Sequence, residues 1–230
     1  MMRMLILLLF CFLTHAADAQ KAIGMNIISK YQQLNDQIAS DAAMGIIDLG
    51  LHIPHIRFEL HYASNENFTG KRMYPADTKT TFLRVEPAKA LEALSKELEQ
   101  RGLGMLIWDA YRPYSVTVRF WKLIHDERYV ANPSKGSGHN RGIAVDLSLY
   151  NLSDGRALSM PTGFDDFSEK AHHGYAQLNE EQIRNRELLL SLMLKYGFKK
   201  FDTEWWHYYW PDSDKYDVLD IPFNKLKMLQ

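Results

Sequence analysis

Gly136-Ser137-Gly138-His139-Asn140-Arg141-Gly142-Ile143-Ala144-Val145-Asp146 holds two metal-ligating side chains among three glycines. The residues from Gly142 to Leu149 alternate well enough to predict a strand, with Ala144 and Asp146 on one face. His139 is then predicted to lie in the glycine-rich loop that leads into this strand. Because glycine allows positive φ and close approach, the loop can bring the imidazole and the Asp146 carboxylate to one ion.

A second stretch, Glu204-Trp205-Trp206-His207, supplies a third ligand and a base. A catalytic zinc is usually held by three protein ligands with one position left open. His139, Asp146 and His207 form such a set, and Glu204 is placed to accept a proton from an attacking water. Because residues three apart on a regular strand point to opposite faces, we expect an irregularity at Trp205-Trp206.

The spacing Ser137-x-His139-x-x-Gly142-x-Ala144-x-Asp146, followed by Glu204-x-x-His207, resembles the D-alanyl-D-alanine metallopeptidases of family M15. Within them it is most similar to the D-Ala-D-Ala dipeptidases related to the vancomycin-resistance enzyme. Further matching blocks are Tyr62-Ala63 with Asn67-Phe68-Thr69-Gly70, Trp108-Asp109-Ala110-Tyr111-Arg112-Pro113, Phe164-Asp165 with His172-His173, and Glu204-Trp205-Trp206-His207-Tyr208. The resemblance spans roughly residues 55 to 210 in the family's order.

The resemblance implies one zinc ion (Zn2+) per chain, held by His139, Asp146 and His207. It implies that Glu204 is the general base and then the general acid. It also implies that Arg112 polarises the scissile carbonyl and stabilises the oxyanion. A fixed cation aimed at charge that develops in the transition state often contributes several kcal/mol, on the order of 10²-fold in rate.

Three further residues, Ser137, Tyr62 and Asp165, fall where the family holds the two ends of its dipeptide. Asp165 is the natural partner for the free ammonium of the substrate. In a closed pocket, such a carboxylate would be left without a partner by a longer peptide. The expected function is therefore zinc-dependent hydrolysis of D-Ala-D-Ala to D-alanine, linked to the turnover of cell-wall peptides.

Two alternatives remain open at this point. A peptidoglycan D,D-carboxypeptidase or endopeptidase of the same superfamily would need an open groove in place of a closed pocket. A non-catalytic zinc module could bind cell-wall peptides, but such binding would need neither Glu204 nor Arg112. His172-His173 is also open to two interpretations, because one ring could orient a ligand or carboxylate from behind, or both could simply pack.

Residues 1–19 are typical of a secretory signal peptide, with a positive start, an apolar run and the cleavage site Ala17-Asp18-Ala19. The apolar run from Met4 to Leu13 is too short to span a bilayer. We expect one zinc-peptidase domain over residues 20–230, exported to the periplasm or secreted, with no stable membrane anchor after cleavage. Since relatives that confer glycopeptide resistance act in the cytoplasm, we expect this protein to scavenge or recycle dipeptide instead.

The composition is consistent with a domain stabilised by an apolar core. The only cysteine, Cys11, lies in the predicted signal peptide, so an exported product would contain no disulfide. Hydrophobic residues make up 46% of the chain, which is ample for a sizeable core. The formal net charge of -1, without long runs of one sign, argues against a nucleic-acid or anionic-membrane partner.

Apolar periodicity predicts helices and strands without a repeating βαβ order. The predicted helices are Met25 to Met44, Pro87 to Gln100, Val116 to Ile124, and Asn179 to Tyr196. The predicted strands are one or two within Ile46 to Tyr62, then Leu103 to Ala110, Gly142 to Leu149, Phe198 to Phe201, and His207 to Trp210. We therefore expect an α+β fold with a mainly antiparallel central sheet flanked by helices.

Overall fold

The computed structural model describes residues 24–229, so the predicted signal peptide lies outside the described residues. The strands of this part of the chain are β1 (Ile27–Ile28), β2 (Ile46–Asp48), β3 (Ile56–Phe58), β4 (Phe82–Arg84), β5 (Leu103–Asp109), β6 (Ala144–Asn151), β7 (Lys199–Phe201), β8 (Glu204–Tyr209) and β9 (Val218–Leu219). The α-helices are α1 (Tyr31–Ser40), α2 (Leu49–His52), α3 (Val85–Gln100), α4 (Tyr114–Ile124), α5 (Gly138–Arg141), α6 (Glu180–Lys195) and α7 (Phe223–Leu226). Short 3-10 turns occupy Ala42–Met44, His61–Ala63, Glu169–Ala171, Ser213–Lys215 and Lys227–Leu229.

The central sheet has five strands in the order β3-β5-β6-β8-β7. Strand β3 runs parallel to β5, whereas the β5–β6, β6–β8 and β7–β8 pairs are antiparallel. Two small sheets lie apart from it, a parallel β1–β9 pair and an antiparallel β2–β4 pair. The fold is α+β as predicted, but the central sheet is mixed, so the expectation of a mainly antiparallel sheet is met only in part.

Strands β5 and β6 form the buried centre of the fold. Every residue of β5 is buried, as are all but the last of β6. Their apolar side chains pack with one face of α3, including Leu91 and Leu94, and with Leu189 and Met193 of α6. This packing covers the central strands with helices, and the predicted ligands Asp146 and His207 lie opposite each other on β6 and β8.

Helix α6 has the ends that its sequence predicts. The side chain of Asn179 accepts a hydrogen bond from the backbone N–H of Gln182, and the Gln182 side chain accepts one from the Asn179 N–H. Gly197 follows the helix with a φ of +93°, a conformation that favours glycine. These reciprocal caps fix the start of the helix, and the predictions for α3, α4, β5 and β6 are likewise confirmed to within a few residues.

The predicted helix from Met25 to Met44 is too long. Ile27 and Ile28 instead form β1, which pairs in parallel with Val218 and Leu219. The helix begins only at Tyr31 and ends at Ser40. These apolar residues would suit a helix face, but they pair with a strand from a distant part of the chain. A local sequence pattern does not reveal such pairing.

The region from Ile46 to Tyr62, for which one or two strands were predicted, contains two, and they do not share a sheet. Strand β2 pairs with β4, whereas β3 pairs with β5. Between them Asp48 caps the one-turn helix α2 by accepting a hydrogen bond from the N–H of Gly50.

Within residues 24–229, no helix is long and apolar enough to cross a membrane.

Candidate active site

The first two predicted ligands are brought together by a tight turn between α5 and β6. His139 lies on the one-turn helix α5, and not in a loop as predicted, because the Ser137 hydroxyl accepts a hydrogen bond from the His139 N–H at 3.0 Å. Gly142 ends the helix with a φ of +70°. The chain then enters β6, whose third residue is Asp146.

Gly138 allows α5 to approach β6 closely. A Cβ atom at Gly138 would lie 2.9 Å from the Cβ of Ala144, closer than real Cβ contacts come. The small side chain of Ala144 and the missing one of Gly138 therefore let the helix lie against the strand. This contact sets His139 beside Asp146, as the sequence pattern predicted.

Strand β8 supplies His207 by direct pairing and Glu204 through an irregularity. His207 pairs with Asp146 of β6. On its other side β8 pairs Tyr208 with Lys200 but Glu204 with Phe201, so the register shifts across the intervening residues. The irregularity expected at Trp205-Trp206 is confirmed, and it places the side chains of Glu204 and His207 in the same pocket.

The three predicted ligands form a compact cluster. His139 Nε2 lies 3.3 Å from His207 Nδ1 and 3.4 Å from Asp146 Oδ2, and His207 Nδ1 lies 2.8 Å from Asp146 Oδ1. Ligand atoms about 2.0–2.1 Å from a tetrahedral zinc are themselves about 3.3 Å apart. These residues therefore fit a metal ion, and among residues 24–229 they are the group of His, Cys, Asp or Glu side chains that could hold one.

Hydrogen bonding orients the ring of His139. Its Nδ1 lies 2.7 Å from the backbone carbonyl oxygen of Ala110, an acceptor, so Nδ1 carries the proton. The lone pair of Nε2 then faces Asp146 and His207. A ligating histidine whose other nitrogen donates to a backbone carbonyl is the usual arrangement in metal sites.

Charges in the cluster oppose the effect of burial. Burial alone would raise the pKa of Asp146, but the adjacent His139 and His207 lower it below its ordinary value. Burial alone would lower the pKa of His207, but Asp146 raises it. The carboxylate therefore stays ionised beside the two rings, as a metal ligand must.

Glu204 has a different environment. Burial is the largest cause that raises its pKa, to about 7, and Asp146 acts in the same direction while His207 and Arg112 oppose it. Its Oε2 lies 3.8 Å from Nδ1 of His207. Glu204 is thus a partly buried carboxylate on the wall beside the three predicted ligands, where a base for a metalloenzyme is needed.

Tyr62 and Asp165 form a second polar group on the pocket wall. The Tyr62 hydroxyl lies 3.1 Å from both carboxylate oxygens of Asp165, to which it donates. Asp165 has a φ of +58°, in the left-handed region that is unusual for a residue with a side chain. Burial and the charge of Asp146 raise the pKa of Asp165 well above its ordinary range. A cationic group of a ligand would favour the ionised form of Asp165 and so offset the effect of burial.

All the predicted site residues line one pocket with a volume of about 220 Å³. They are Tyr62, Arg112, Ser137, His139, Asp146, Asp165, Glu204 and His207. The structure brings these side chains together, and their individual roles remain predictions.

Sequence reasoning missed much of the rest of the pocket wall. Aromatic side chains of Phe68, Phe120, Phe167 and Phe201 line it, together with the segment from Glu127 to Ala131. No site residue was predicted in this segment. Phe68 lies inside a block that matched the family, which was the only signal available for these residues.

His172 and His173 are not part of this pocket among the described residues. His173 is 6% exposed, and its ring packs edge-on against Tyr208 with centroids 5.9 Å apart. Tyr208 and His207 are neighbours on β8 and point to opposite faces of the sheet. The packing interpretation of His173 therefore agrees with the structure better than the orienting one.

The chain is similar in sequence to known peptidases over a region that contains all the predicted site residues. Residues 42–225 match the peptidase M15 family, described as D-ala-D-ala dipeptidase. A D-alanyl-D-alanine dipeptidase from Escherichia coli (strain K12) is 34% identical over 179 residues, covering 78% of this chain and 91% of the relative. A protein of the same name from Enterococcus faecalis (strain ATCC 700802 / V583) is 30% identical, covering 71% of this chain and 90% of the relative. Another from Streptomyces coelicolor (strain ATCC BAA-471 / A3(2) / M145) is 34% identical, covering 66% of this chain and 85% of the relative.

The match covers most of the chain and contains every block on which the resemblance rested. The relatives are aligned over most of their own length, so the likeness is not confined to a shared motif. The chain therefore belongs to the peptidase M15 family of D-Ala-D-Ala dipeptidases.

Proposed function

We propose that this protein is a zinc dipeptidase that hydrolyses D-Ala-D-Ala to two molecules of D-alanine. The observation that carries the proposal is the convergence of the metal cluster, Glu204, Arg112 and the Tyr62–Asp165 pair on one small pocket. Relatives at 30–34% identity carry the name of this activity. Pockets for drug-sized ligands usually measure about 300–1,000 Å³. This pocket is smaller, at about 220 Å³, which suits a substrate as small as a dipeptide.

The residues His139, Asp146 and His207 would hold the zinc ion. When bound, zinc would act as a Lewis acid that polarises the scissile carbonyl and lowers the pKa of the attacking water. The remaining chemistry belongs to the side chains of the chain itself.

Glu204 would accept a proton from the water whose oxygen attacks the carbonyl carbon. It would then return the proton to the leaving nitrogen as the carbon–nitrogen bond breaks, which leaves two D-alanines. Arg112 would face the carbonyl oxygen, where negative charge develops. Burial would lower the pKa of Arg112, but Asp109 and nearby tyrosines raise it, so the guanidinium remains charged for this role.

Asp165 would select a dipeptide by pairing with its free ammonium. The Tyr62 hydroxyl holds the carboxylate in place. A longer peptide has an amide at this point, which would leave Asp165 buried without a cation. Ser137, at the edge of the metal cluster, would contact the carboxylate end of the substrate.

The direct test measures D-alanine released from D-Ala-D-Ala and, in parallel, from a muramyl pentapeptide. The mature protein is assayed with zinc, and Glu204→Gln serves as the inactive control. Release from the dipeptide alone, lost in the control, is the expected result. Release mainly from the pentapeptide would assign the protein as a carboxypeptidase, and release from neither would overturn the proposal.

Asp165→Asn tests the origin of the dipeptide preference. We expect kcat/KM for D-Ala-D-Ala to fall by about 10²-fold or more, because the ammonium loses its charged partner. The matched control is Asp166→Asn, since Asp166 accepts a hydrogen bond from the Ser168 N–H and does not line the pocket in the described part of the chain. Equal losses in both variants would contradict the assignment of Asp165.

Export to the periplasm or the medium is also a proposal, supported by the sequence of residues 1–19. There the enzyme would recycle D-Ala-D-Ala or a similar dipeptide from cell-wall peptides. Fractionation of the native cells with mass determination of the amino terminus tests it. Finding the native protein in the cytosol with its first nineteen residues intact would contradict export.

A further inference from the structure

Asp109, the last residue of β5, enters the chemistry described so far only as a charge that raises the pKa of Arg112. Its side chain is fully buried. Oδ2 accepts hydrogen bonds from Nε and Nη2 of Arg112 at 2.9 and 2.7 Å. Oδ1 accepts one from the Tyr74 hydroxyl at 2.7 Å and one from the Ala110 N–H at 2.9 Å. Both carboxylate oxygens of Asp109 therefore have hydrogen-bond partners, and every one of these bonds is accepted, as an ionised carboxylate requires.

The same guanidinium is confined by two aromatic rings. The Cζ atom of Arg112 lies 5.3 Å from the ring centroid of Tyr62 and 4.9 Å from that of Phe120. Arg112 is 8% exposed, and the pocket includes it in its wall. Asp109 thus holds one edge of the guanidinium while aromatic rings flank it, and the remaining N–H groups are left for the pocket.

The backbone of Arg112 is tied to the metal cluster. Its N–H donates to the carbonyl of His139 at 3.1 Å, and its own carbonyl accepts a hydrogen bond from the Asn140 side chain at 2.9 Å. With its backbone fixed in this way, the guanidinium position depends on the side-chain torsions. Asp109 is the charged group that fixes them.

We propose that Asp109, itself held by the Tyr74 hydroxyl, is a positioning residue that aims the Arg112 guanidinium at the oxyanion of the reaction. The proposal rests on the proposed function, since it concerns the role of Arg112 in that reaction. Neither Asp109 nor Tyr74 lines the pocket in the described part of the chain, so both act through Arg112.

The physical reason is preorganisation. An arginine side chain has many rotamers, and a donor stabilises developing charge best when it does not have to reorient during the reaction. Loss of a single well-placed donor to an oxyanion typically lowers kcat about 10²–10³-fold. A guanidinium that is present but misaimed should lose part of this benefit.

Asp109→Asn removes the charge and keeps the size. Its amide can accept at one side only, so either Arg112 or Tyr74 loses its acceptor. We expect kcat for D-Ala-D-Ala to fall about 10- to 100-fold while KM changes less than about 3-fold, because the interaction is made mainly in the transition state. Zinc content is measured in parallel, since Asp109 Oδ2 also lies 3.8 Å from Nδ1 of His139.

Tyr74→Phe is the second variant and removes only one hydroxyl. We expect a smaller loss of kcat, about 3- to 10-fold, with KM and zinc content unchanged. The matched control is Tyr150→Phe, because Tyr150 is also a buried tyrosine that donates one hydrogen bond, here to the backbone carbonyl of His55, and it lies outside the pocket wall. A loss of kcat in Tyr150→Phe as large as in Tyr74→Phe would indicate a general effect of removing buried hydroxyls.

A double-mutant cycle separates positioning from a general structural effect. In an Arg112→Ala background, Asp109→Asn should lower kcat by less than about 2-fold, because its action requires the guanidinium. If Asp109→Asn lowers kcat by the same factor with and without Arg112, the positioning proposal is overturned.

A measurement without turnover keeps this proposal distinct from the proposed function. Solvent exchange of the Arg112 Nε–H is followed by NMR in the wild type and in Tyr74→Phe and Asp109→Asn. We expect a protected proton in the wild type and exchange at least about 10-fold faster in Asp109→Asn, because the charged acceptor is replaced by a neutral amide that accepts at one side only. Unchanged exchange would overturn positioning even in an active enzyme, whereas an inactive wild type with the expected exchange would overturn only the proposed function.

Discussion

Oε2 of Glu204 lies 3.8 Å from Nδ1 of His207, although the two residues are three positions apart on the same strand. On a regular strand they would point to opposite faces of the sheet. The register shift between β7 and β8 allows both to face one pocket. The position of Glu204, the proposed base, therefore depends on a local break in strand pairing.

Shortening this base should be nearly as harmful as removing it. Glu204→Asp keeps a carboxylate but withdraws it by about 1.5 Å, the length of one carbon–carbon bond. Since a misplacement of about 1 Å can cost 10²-fold, we expect kcat for D-Ala-D-Ala to fall on the order of 10²-fold. Steady-state kinetics and zinc content together check this, with zinc content expected to stay at the wild-type level.

The matched control is Glu92→Asp, which shortens a glutamate that pairs with Lys96 on the outside of α3. It should leave kcat unchanged. Wild-type activity in Glu204→Asp would show that the carboxylate position set by β8 is not critical, and a loss of zinc in that variant would point to a structural effect.

Removal of the metal should lower stability. One ligand atom each of His139, Asp146 and His207 lies within 4.8 Å of the other two, and an ion bound there would stabilise only the folded chain. A free zinc concentration 100-fold above Kd would add about 2.7 kcal/mol. We expect the melting temperature to fall by several degrees with a chelator and to recover with zinc.

Asp146→Asn provides the comparison for this experiment, because an amide is a poor zinc ligand. Its melting temperature should respond little to chelator or to added zinc. If the wild type also melts at the same temperature with and without zinc, the metal assignment of the cluster is wrong.

The pairing of His139 with Asp146 could be predicted from sequence because its information is local, whereas His207, 61 positions from Asp146, was added from the second stretch and the family resemblance. His139 and Asp146 lie seven positions apart, and the glycines between and around them indicate the tight turn. The caps of α6 are local in the same sense, since Asn179 and Gln182 satisfy each other. Features that one short segment specifies by itself were predicted correctly.

Several features that require two distant segments, and that the family resemblance does not specify, were not predicted. Strand β1 exists because Ile27 and Ile28 meet Val218 and Leu219 at the other end of the chain. The role of Asp109 depends on Tyr74, a residue 35 positions away whose surroundings in sequence carry no pattern. The mixed pairing of the central sheet likewise depends on which edge β3 joins.

Acid should destabilise the protein through His173. Burial is the main cause that lowers the pKa of His173 from 6.5 to about 4; Lys200 and Arg186 act in the same direction and Asp202 opposes them. Because the pKa is lower in the folded state, the unfolded chain binds the proton more readily. The contribution to stability is present above pH 6.5 and is lost as the pH falls towards about 4.

The measurement is urea unfolding of the wild type and His173→Phe between pH 7.5 and 4. Neither ring nitrogen of His173 has a hydrogen-bond partner in the described part of the chain, so phenylalanine removes the titration and keeps a ring against Tyr208. Between pH 7.5 and 4, the free energy of unfolding should fall in both proteins. The fall should be about 1–2 kcal/mol smaller in the variant than in the wild type. Parallel curves would show that His173 does not contribute.

A single methyl group in β5 should destabilise the fold. A Cβ at Gly104 would lie 2.5 Å from ring atoms of Tyr150 and 2.7 Å from the backbone oxygen of His55. Both neighbours belong to the central sheet region, where His55 O also accepts a hydrogen bond from the Tyr150 hydroxyl. Overpacking of this kind typically costs about 1–3 kcal/mol, so Gly104→Ala should melt about 2–10 °C lower.

Gly174→Ala is the matched control, because a Cβ there would meet nothing within 4 Å. Its free energy of unfolding should stay within about 0.5 kcal/mol of the wild type. Urea unfolding of both variants checks the pair. If Gly104→Ala is as stable as Gly174→Ala, the Tyr150 ring and the His55 carbonyl must both be free to move away from the added methyl group, and close packing does not limit the side chain at this position.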